Sequence, residues 1–159
     1  MTDHLFVYGT LMRRARHPMA AMLAAQADFV GEGRYAGQLF RVAHYPGVVP
    51  SDAPGDIVFG DVYALRHPAR LWPRLDAYEG CGPHATKPEQ YRRTLQSVIL
   101  DDGQALQTFI YLYNRPVAGL PRIRSGRFLP APPPRDAHPR WKPEPAECPV
   151  DEGGQVPGL

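Results

Sequence analysis

One acid in this chain stands where acid/base chemistry could be done. The stretch HPARLWPRLDAYEG, His67 to Gly80, predicts a helix. Pro68 falls at an early position, where its missing N–H is one the helix leaves unpaired anyway. At about 100° per residue, Leu71, Trp72, Leu75 and Tyr78 share one arc, provided that Pro73 leaves the helix regular. Glu79 falls inside that arc, while Arg70 and Arg74 lie outside it. A carboxyl on the apolar face at a helix C-terminus loses hydration and meets the negative end of the macrodipole, and both raise its pKa. A carboxyl tuned upward can take and return a proton near neutral pH. The same position also fits a Glu on the rim of the apolar stripe, neutralised by one of the many arginines.

Two further clusters carry reactive types. The apolar run His4 to Tyr8 reads as a strand that stops at Gly9-Thr10. A turn of that kind presents backbone N–H groups, and Gly9 lets a ligand approach the main chain, so a small carboxylate can be held there. Strands also end in glycine for purely steric reasons. Cys81 follows Glu79 by two residues and precedes His84 by three, the elements of a thiol nucleophile and base. Nothing in the sequence supplies the third, orienting group such a pair needs. As zinc ligands the two lack partners at a usual spacing.

The elements that must position these residues read as one α+β domain. His17 to Gln26 is Ala-rich and helical, again with a proline near its start. Phe29 to Val42 holds β-prone residues punctuated by Gly31, Gly33 and Gly37, as in bent strands or a barrel corner. Tyr45-Pro46-Gly47 predicts a turn, Asp52 to Asp56 a loop, and Ile57 to Leu65 an alternating strand. Tyr91 to Leu100 and Ala105 to Tyr113, joined by Asp101-Asp102-Gly103, predict a hairpin. The order favours a mixed, largely antiparallel, barrel-like sheet with flanking helices. We place the domain at residues 1–128, followed by a tail at 129–159. Residues 130–159 hold nine of the nineteen prolines, a composition that fills no core and reads as extended or disordered. PAPPPR within it has the form of a ligand for an aromatic groove in a partner, or is simply solvated.

The totals exclude several classes. A formal charge of +2, with basic residues scattered and almost all Arg, gives no stripe for nucleic acid. Cys81 and Cys148 make neither a disulfide framework nor a metal site. No stretch approaches the ~18 apolar residues of a membrane span. The N-terminus lacks the basic flank and apolar core of a signal peptide, so a cytoplasmic protein is expected.

Taken together, LFVYGTLM (5–12), YPGVVP (45–50), GDVYAL (60–65), LDAYEG (75–80), YRR (91–93) and FIYLY (109–113) resemble the γ-glutamylcyclotransferase-like family, in its AIG2-like and γ-glutamylaminecyclotransferase branch. The resemblance covers roughly residues 4–115. It implies a mixed barrel with a cavity between the YGTL turn and the acid, and a reaction that cyclises a γ-glutamyl donor to 5-oxoproline with release of the amine. Glu79 would be the general acid/base. The backbone of Gly9, Thr10 and Leu11 would hold the donor's α-carboxylate. Tyr8 and Tyr91 would position the γ-carbonyl or orient Glu79, or Tyr91 would be a barrel residue with its hydroxyl on backbone. Arg93 matches a basic position of the family or is a solvated strand residue. No cofactor and no metal are expected, and the partner would be a small γ-glutamyl molecule. The identity of the leaving amine should be set by residues 13–17 and the segment between Gly80 and Tyr91. A binding protein using the same cavity without turnover is the alternative on this fold.

Overall fold

The structure, a computed structural model, describes residues 3–13, 15, 17–81 and 89–129. The Pro-rich stretch from residue 130 on, Cys148, and the segment 82–88 with His84 lie outside the described residues. So does part of the 13–17 segment.

Among the described residues, six strands and two helices follow in the order β1 (His4–Val7), α1 (Pro18–Gln26), β2 (Ala27–Arg41), β3 (Pro46–Pro50), β4 (Ile57–Leu65), α2 (Pro68–Tyr78), β5 (Tyr91–Leu100) and β6 (Ala105–Tyr113). Strands β2, β4, β1, β6 and β5 are hydrogen-bonded in that order, and β5 returns to β2 through Gly33 and Arg34, so the sheet closes as a five-stranded barrel. The β1–β6 pairing is parallel and every other one is antiparallel, which makes the barrel mixed and largely antiparallel as expected.

Two readings of the sequence need correction. The glycine-punctuated stretch is one strand of fifteen residues, β2, whose register against β4 shifts between Phe29 and Gly31. The bulge and the glycines let a single strand twist through three pairings. Gly33 also admits β5, since a Cβ there would stand 2.8 Å from the Val98 side chain. Secondly, Pro46-Gly47 is not a turn but the start of β3. β3 pairs with β2 alone, and a strand at a sheet edge tolerates proline. The chain reverses just before it, where the N–H groups of Val42 and Ala43 both donate to the Tyr45 carbonyl at 3.0 and 3.2 Å.

The barrel interior is filled by Phe6, Val58, Val62, Val98 and Ile110 among others, and α2 lays Leu71, Trp72 and Leu75 against the outside of the wall, where Trp72 meets Phe109. Arg70 and Arg74 stay exposed. Among the described residues no helix is long and apolar enough to cross a membrane.

Residues 114–129 have no regular structure beyond one bridge, yet they are fastened to the barrel. Arg41 N–H donates to the Pro121 carbonyl, Ile123 N–H to Leu39 and Phe59 N–H to Gly126, each at 2.8 Å. The Asp56 carboxylate completes the fastening by accepting from Gln38 (2.9 Å), Ser51 (2.7 Å) and Arg122. Hydrogen bonds from Gln38, Ser51 and Arg122 hold its carboxyl down from 3.8 to about 2. A carboxyl depressed in the native state contributes stability that is present above its unfolded value and lost as the pH falls toward the folded one. Acid should therefore loosen this clasp between pH 3.8 and about 2. A thermal-midpoint series across that window should slope downward in the wild type and more weakly in Asp56→Asn.

Candidate active site

Helix α2 ends in a Schellman motif. Gly80 N–H donates to the Ala77 carbonyl at 3.3 Å and Cys81 N–H to Asp76 at 2.9 Å. The motif needs a left-handed residue after the cap, and Gly80, with φ +66°, supplies it. Glu79 is the cap itself, with its N–H on the Leu75 carbonyl at 2.9 Å. The Glu-Gly pair thus fixes where the helix stops and where the side chain of Glu79 goes.

That side chain goes inward: Glu79 is 0% exposed. Neither of its carboxyl oxygens has a hydrogen-bond partner among the described residues. Burial, and next the Asp76 carboxylate, push its pKa well above the ordinary value of 4.5. Of the two placements the sequence left open, the buried face is the one observed. An unpaired buried carboxylate would cost several kcal/mol, so burial favours the neutral form of Glu79.

Tyrosines from four elements surround it. The hydroxyls of Tyr8 on the chain just after β1, Tyr78 of α2, Tyr91 of β5 and Tyr111 of β6 are all raised, by burial first and in part by the Glu79 charge. Tyr8 donates its proton to the Tyr111 carbonyl at 2.6 Å and Tyr91 donates to the Pro46 carbonyl. Tyr91 therefore has its hydroxyl on backbone, the plainer of its two sequence readings. The YGTL turn follows directly. Met12 N–H closes it on the Gly9 carbonyl at 3.0 Å, and the buried Asp61 accepts Arg13 N–H at 2.8 Å. Gly9 and Leu11 are buried, and Thr10 Oγ1 meets the Tyr78 hydroxyl at 2.8 Å. The turn is thereby tied to the residue just before Glu79, and Tyr8, Thr10 and Tyr91 stand with Glu79 at this end of the barrel.

The sequence reading missed Asp76, Tyr78 and Tyr111 as neighbours of Glu79, and Asp61 as the acid that holds the chain just after the YGTL turn. Asp76 takes the Tyr111 hydroxyl at 2.6 Å and pairs with Arg93 at 3.4 Å. The Arg93 guanidinium lies 4.3 Å from the Trp72 ring centroid, so Arg93 is no solvated strand residue. Two acids three apart on one helix, Asp76 and Glu79, were the available signal. Cys81 is half-buried, and its thiol is pushed up chiefly by burial, the wrong direction for a nucleophilic thiolate. No group of three or more metal-ligating side chains is assembled among the described residues.

A separate groove of about 230 Å³ is lined by Met12, Glu32, Arg34, Phe59, Asp61 and Arg127, among others, and by none of the groups around Glu79. Its buried acid, Asp61, already holds the Arg13 N–H, whereas neither oxygen of Glu79 has a partner among the described residues.

A closed mixed barrel with an enclosed acid beside a strand-end turn places this chain in a known structural class. An AIG2-like protein from Mus musculus superposes with a TM-score of 0.59 at 24% identity, over 82% of this chain and 97% of its own. YkqA from Bacillus subtilis superposes with a TM-score of 0.59 at 26% identity over 80% of this chain, which spans only 40% of YkqA. The chain belongs to the family described as gamma-glutamyl cyclotransferase, AIG2-like, which matches residues 5–130. Within it, the gamma-glutamylcyclotransferase family protein YtfP of Escherichia coli (strain K12) is 31% identical over 126 residues, 79% of this chain and 95% of that protein.

Proposed function

We propose that this protein is a γ-glutamyl cyclotransferase in which Glu79 is the general acid/base. The observation that carries the reading is a fully buried carboxyl with no hydrogen-bond partner among the described residues, set at the end of α2 against the YGTL turn.

The donor brings its own nucleophile. Its α-amine attacks the γ-carbonyl carbon, the new C–N bond closes a five-membered lactam, and the C–N bond to the leaving amine breaks. Ring closure is intramolecular, so holding the donor folded can supply about 7 kcal/mol or more of the barrier. The protein's remaining task is protons. The attacking nitrogen must lose one as the ring forms, and the departing nitrogen must gain one. Glu79 takes the first and returns it to the second. A neutral Glu79 beside a free amine and an ionised Glu79 beside an ammonium hold the same number of protons, so the site can start from either pair. None of these steps calls for a cofactor.

Backbone N–H groups of Gly9, Thr10 and Leu11 would take the donor's α-carboxylate. Tyr8 and Tyr91 have already committed their phenolic protons to carbonyls, so they cannot donate to the γ-carbonyl. Their oxygens can only accept. The choice of amine released is assigned to residues 13–17 and the stretch after Gly80, as the family resemblance implies.

The test is 5-oxoproline release from a panel of γ-glutamyl amino acids, a γ-glutamyl tripeptide thiol and γ-glutamyl-ε-lysine. Release from one class confirms the activity and names the leaving group. Saturable binding of a donor that is never cyclised would make this a binding protein on the same fold.

A further inference from the structure

Asp76 lies three residues before Glu79 on α2, so the two carboxyl groups occupy neighbouring positions near the negative end of one helix. The arrangement is electrostatically unfavourable, yet Asp76 is fixed in it from three elements. It is part of α2, it accepts the hydroxyl of Tyr111 on β6 at 2.6 Å, and it pairs with Arg93 of β5 at 3.4 Å. Arg93 is itself held, with its guanidinium 4.3 Å from the Trp72 ring centroid and 5.6 Å from that of Phe109. The pair is largely enclosed, with side chains 20% and 28% exposed, so solvent screens it only in part.

The groups gathered around Glu79 are Asp76 and Tyr78 from its own helix, Tyr8 next to β1, Tyr91 from β5 and Tyr111 from β6, with Arg93 reaching it through Asp76. Of these, Asp76 and Arg93 carry formal charge. A fixed negative charge one helical turn away opposes a second negative charge on Glu79, and the guanidinium tempers that opposition.

We propose that Asp76 is a positioning residue that keeps the proton on Glu79 while the site is empty, and that Arg93 sets how strongly it does so. The inference rests on the cyclotransferase reading for its purpose. A donor's α-ammonium would then be the cation that allows Glu79 to ionise, and the base would form only when there is a proton to take. No new bond is involved. Against a neutral Glu79 an incoming ammonium brings one proton in excess. That proton leaves to solvent as Glu79 ionises, and the carboxylate then takes a proton from the donor's nitrogen.

Two substitutions of opposite charge sense test it. Asp76→Asn keeps a carbonyl oxygen for the Tyr111 hydroxyl and removes the negative charge, so the Glu79 titration midpoint should fall by about one pH unit. Arg93→Gln removes the tempering cation, so the midpoint should rise. The midpoint is read by NMR on protein with carboxyl-labelled glutamate, the Glu79 signal being the one missing from Glu79→Gln, and in parallel from the pH profile of 5-oxoproline release. Opposite shifts support the proposal. A Glu79 signal that titrates alike in all three proteins, or moves in the same direction in both variants, overturns it and leaves Asp76 a structural residue. If the wild type cyclises no donor, the cyclotransferase reading fails while the NMR titration still decides the role of Asp76.

Discussion

Glu79→Gln should lower kcat for 5-oxoproline release by about 10²- to 10⁴-fold, the usual contribution of a positioned acid/base. Glutamine keeps the length and planarity of the side chain and can fill the same enclosed space, but it can neither take the ammonium proton nor give one to the leaving amine. Because Glu79 acts on the reacting nitrogens rather than on the α-carboxylate, the KM should change little. The same variant has a second signature. Burial raises the Glu79 pKa in the native state, so the folded protein binds a proton that the unfolded chain releases above the ordinary value of 4.5. Stability from this group is complete below that pH and is lost as the pH rises toward the raised value. Glu79→Gln has no such slope, so its thermal midpoint should gain on that of the wild type as the pH is raised. Turnover retained within a few-fold would move the acid/base role to another residue. Parallel stability curves would mean that Glu79 is solvated or paired.

How far these conclusions were legible in the sequence depends on how local their causes are. The face that carries Glu79 was readable because helical periodicity is local: the apolar arc and the two arginines outside it define that face without knowledge of its partner, but whether Glu79 lay buried or on its rim was left open. β4, β5 and β6 were bounded correctly for the same reason, with alternation inside each strand and a left-handed Gly103, φ +89°, in the turn between the last two. β3 was not. Pro46-Gly47 has the composition of a turn, and only its place on the sheet edge, paired to β2, makes it a strand. Gly47 is demanded from far away, since a Cβ there would stand 2.8 Å from the Tyr113 ring. The parallel β1–β6 contact, Leu5 against Phe109 and Phe6 against Ile110, joins segments about a hundred residues apart. No local pattern encodes such a choice of neighbour. Asp76 escaped notice because its importance comes from Tyr111 and Arg93 on two other strands.

Gly60→Ala should be among the most damaging single-methyl additions to this barrel, and its effect bears on what holds the site. A Cβ at residue 60 would stand 2.2 Å from the Val7 carbonyl oxygen and 2.7 Å from the Phe6 ring. The nearer atom is backbone and cannot rotate aside, so β4 and β1 must separate. Val7 pairs with Asp61 at the last position of β1, immediately before Tyr8 and the YGTL turn. Separation there both opens the core and carries the turn away from Glu79. The expected cost is about 3 kcal/mol or more, at the upper end for overpacking because backbone has to move. Urea unfolding should show a lowered midpoint at unchanged slope, and the folded fraction should show reduced 5-oxoproline release. Gly31→Ala is the matched control: it adds the same methyl at the β2 bulge, where nothing lies within 4 Å. It should be neutral or slightly stabilising, through the less flexible unfolded chain. If the two variants unfold within about 0.5 kcal/mol of each other, the β1–β4 contact is softer than its geometry indicates. In that event the position of the YGTL turn would be set by its own hydrogen bonds to Tyr78 and Asp61, not by the packing of the barrel beneath it.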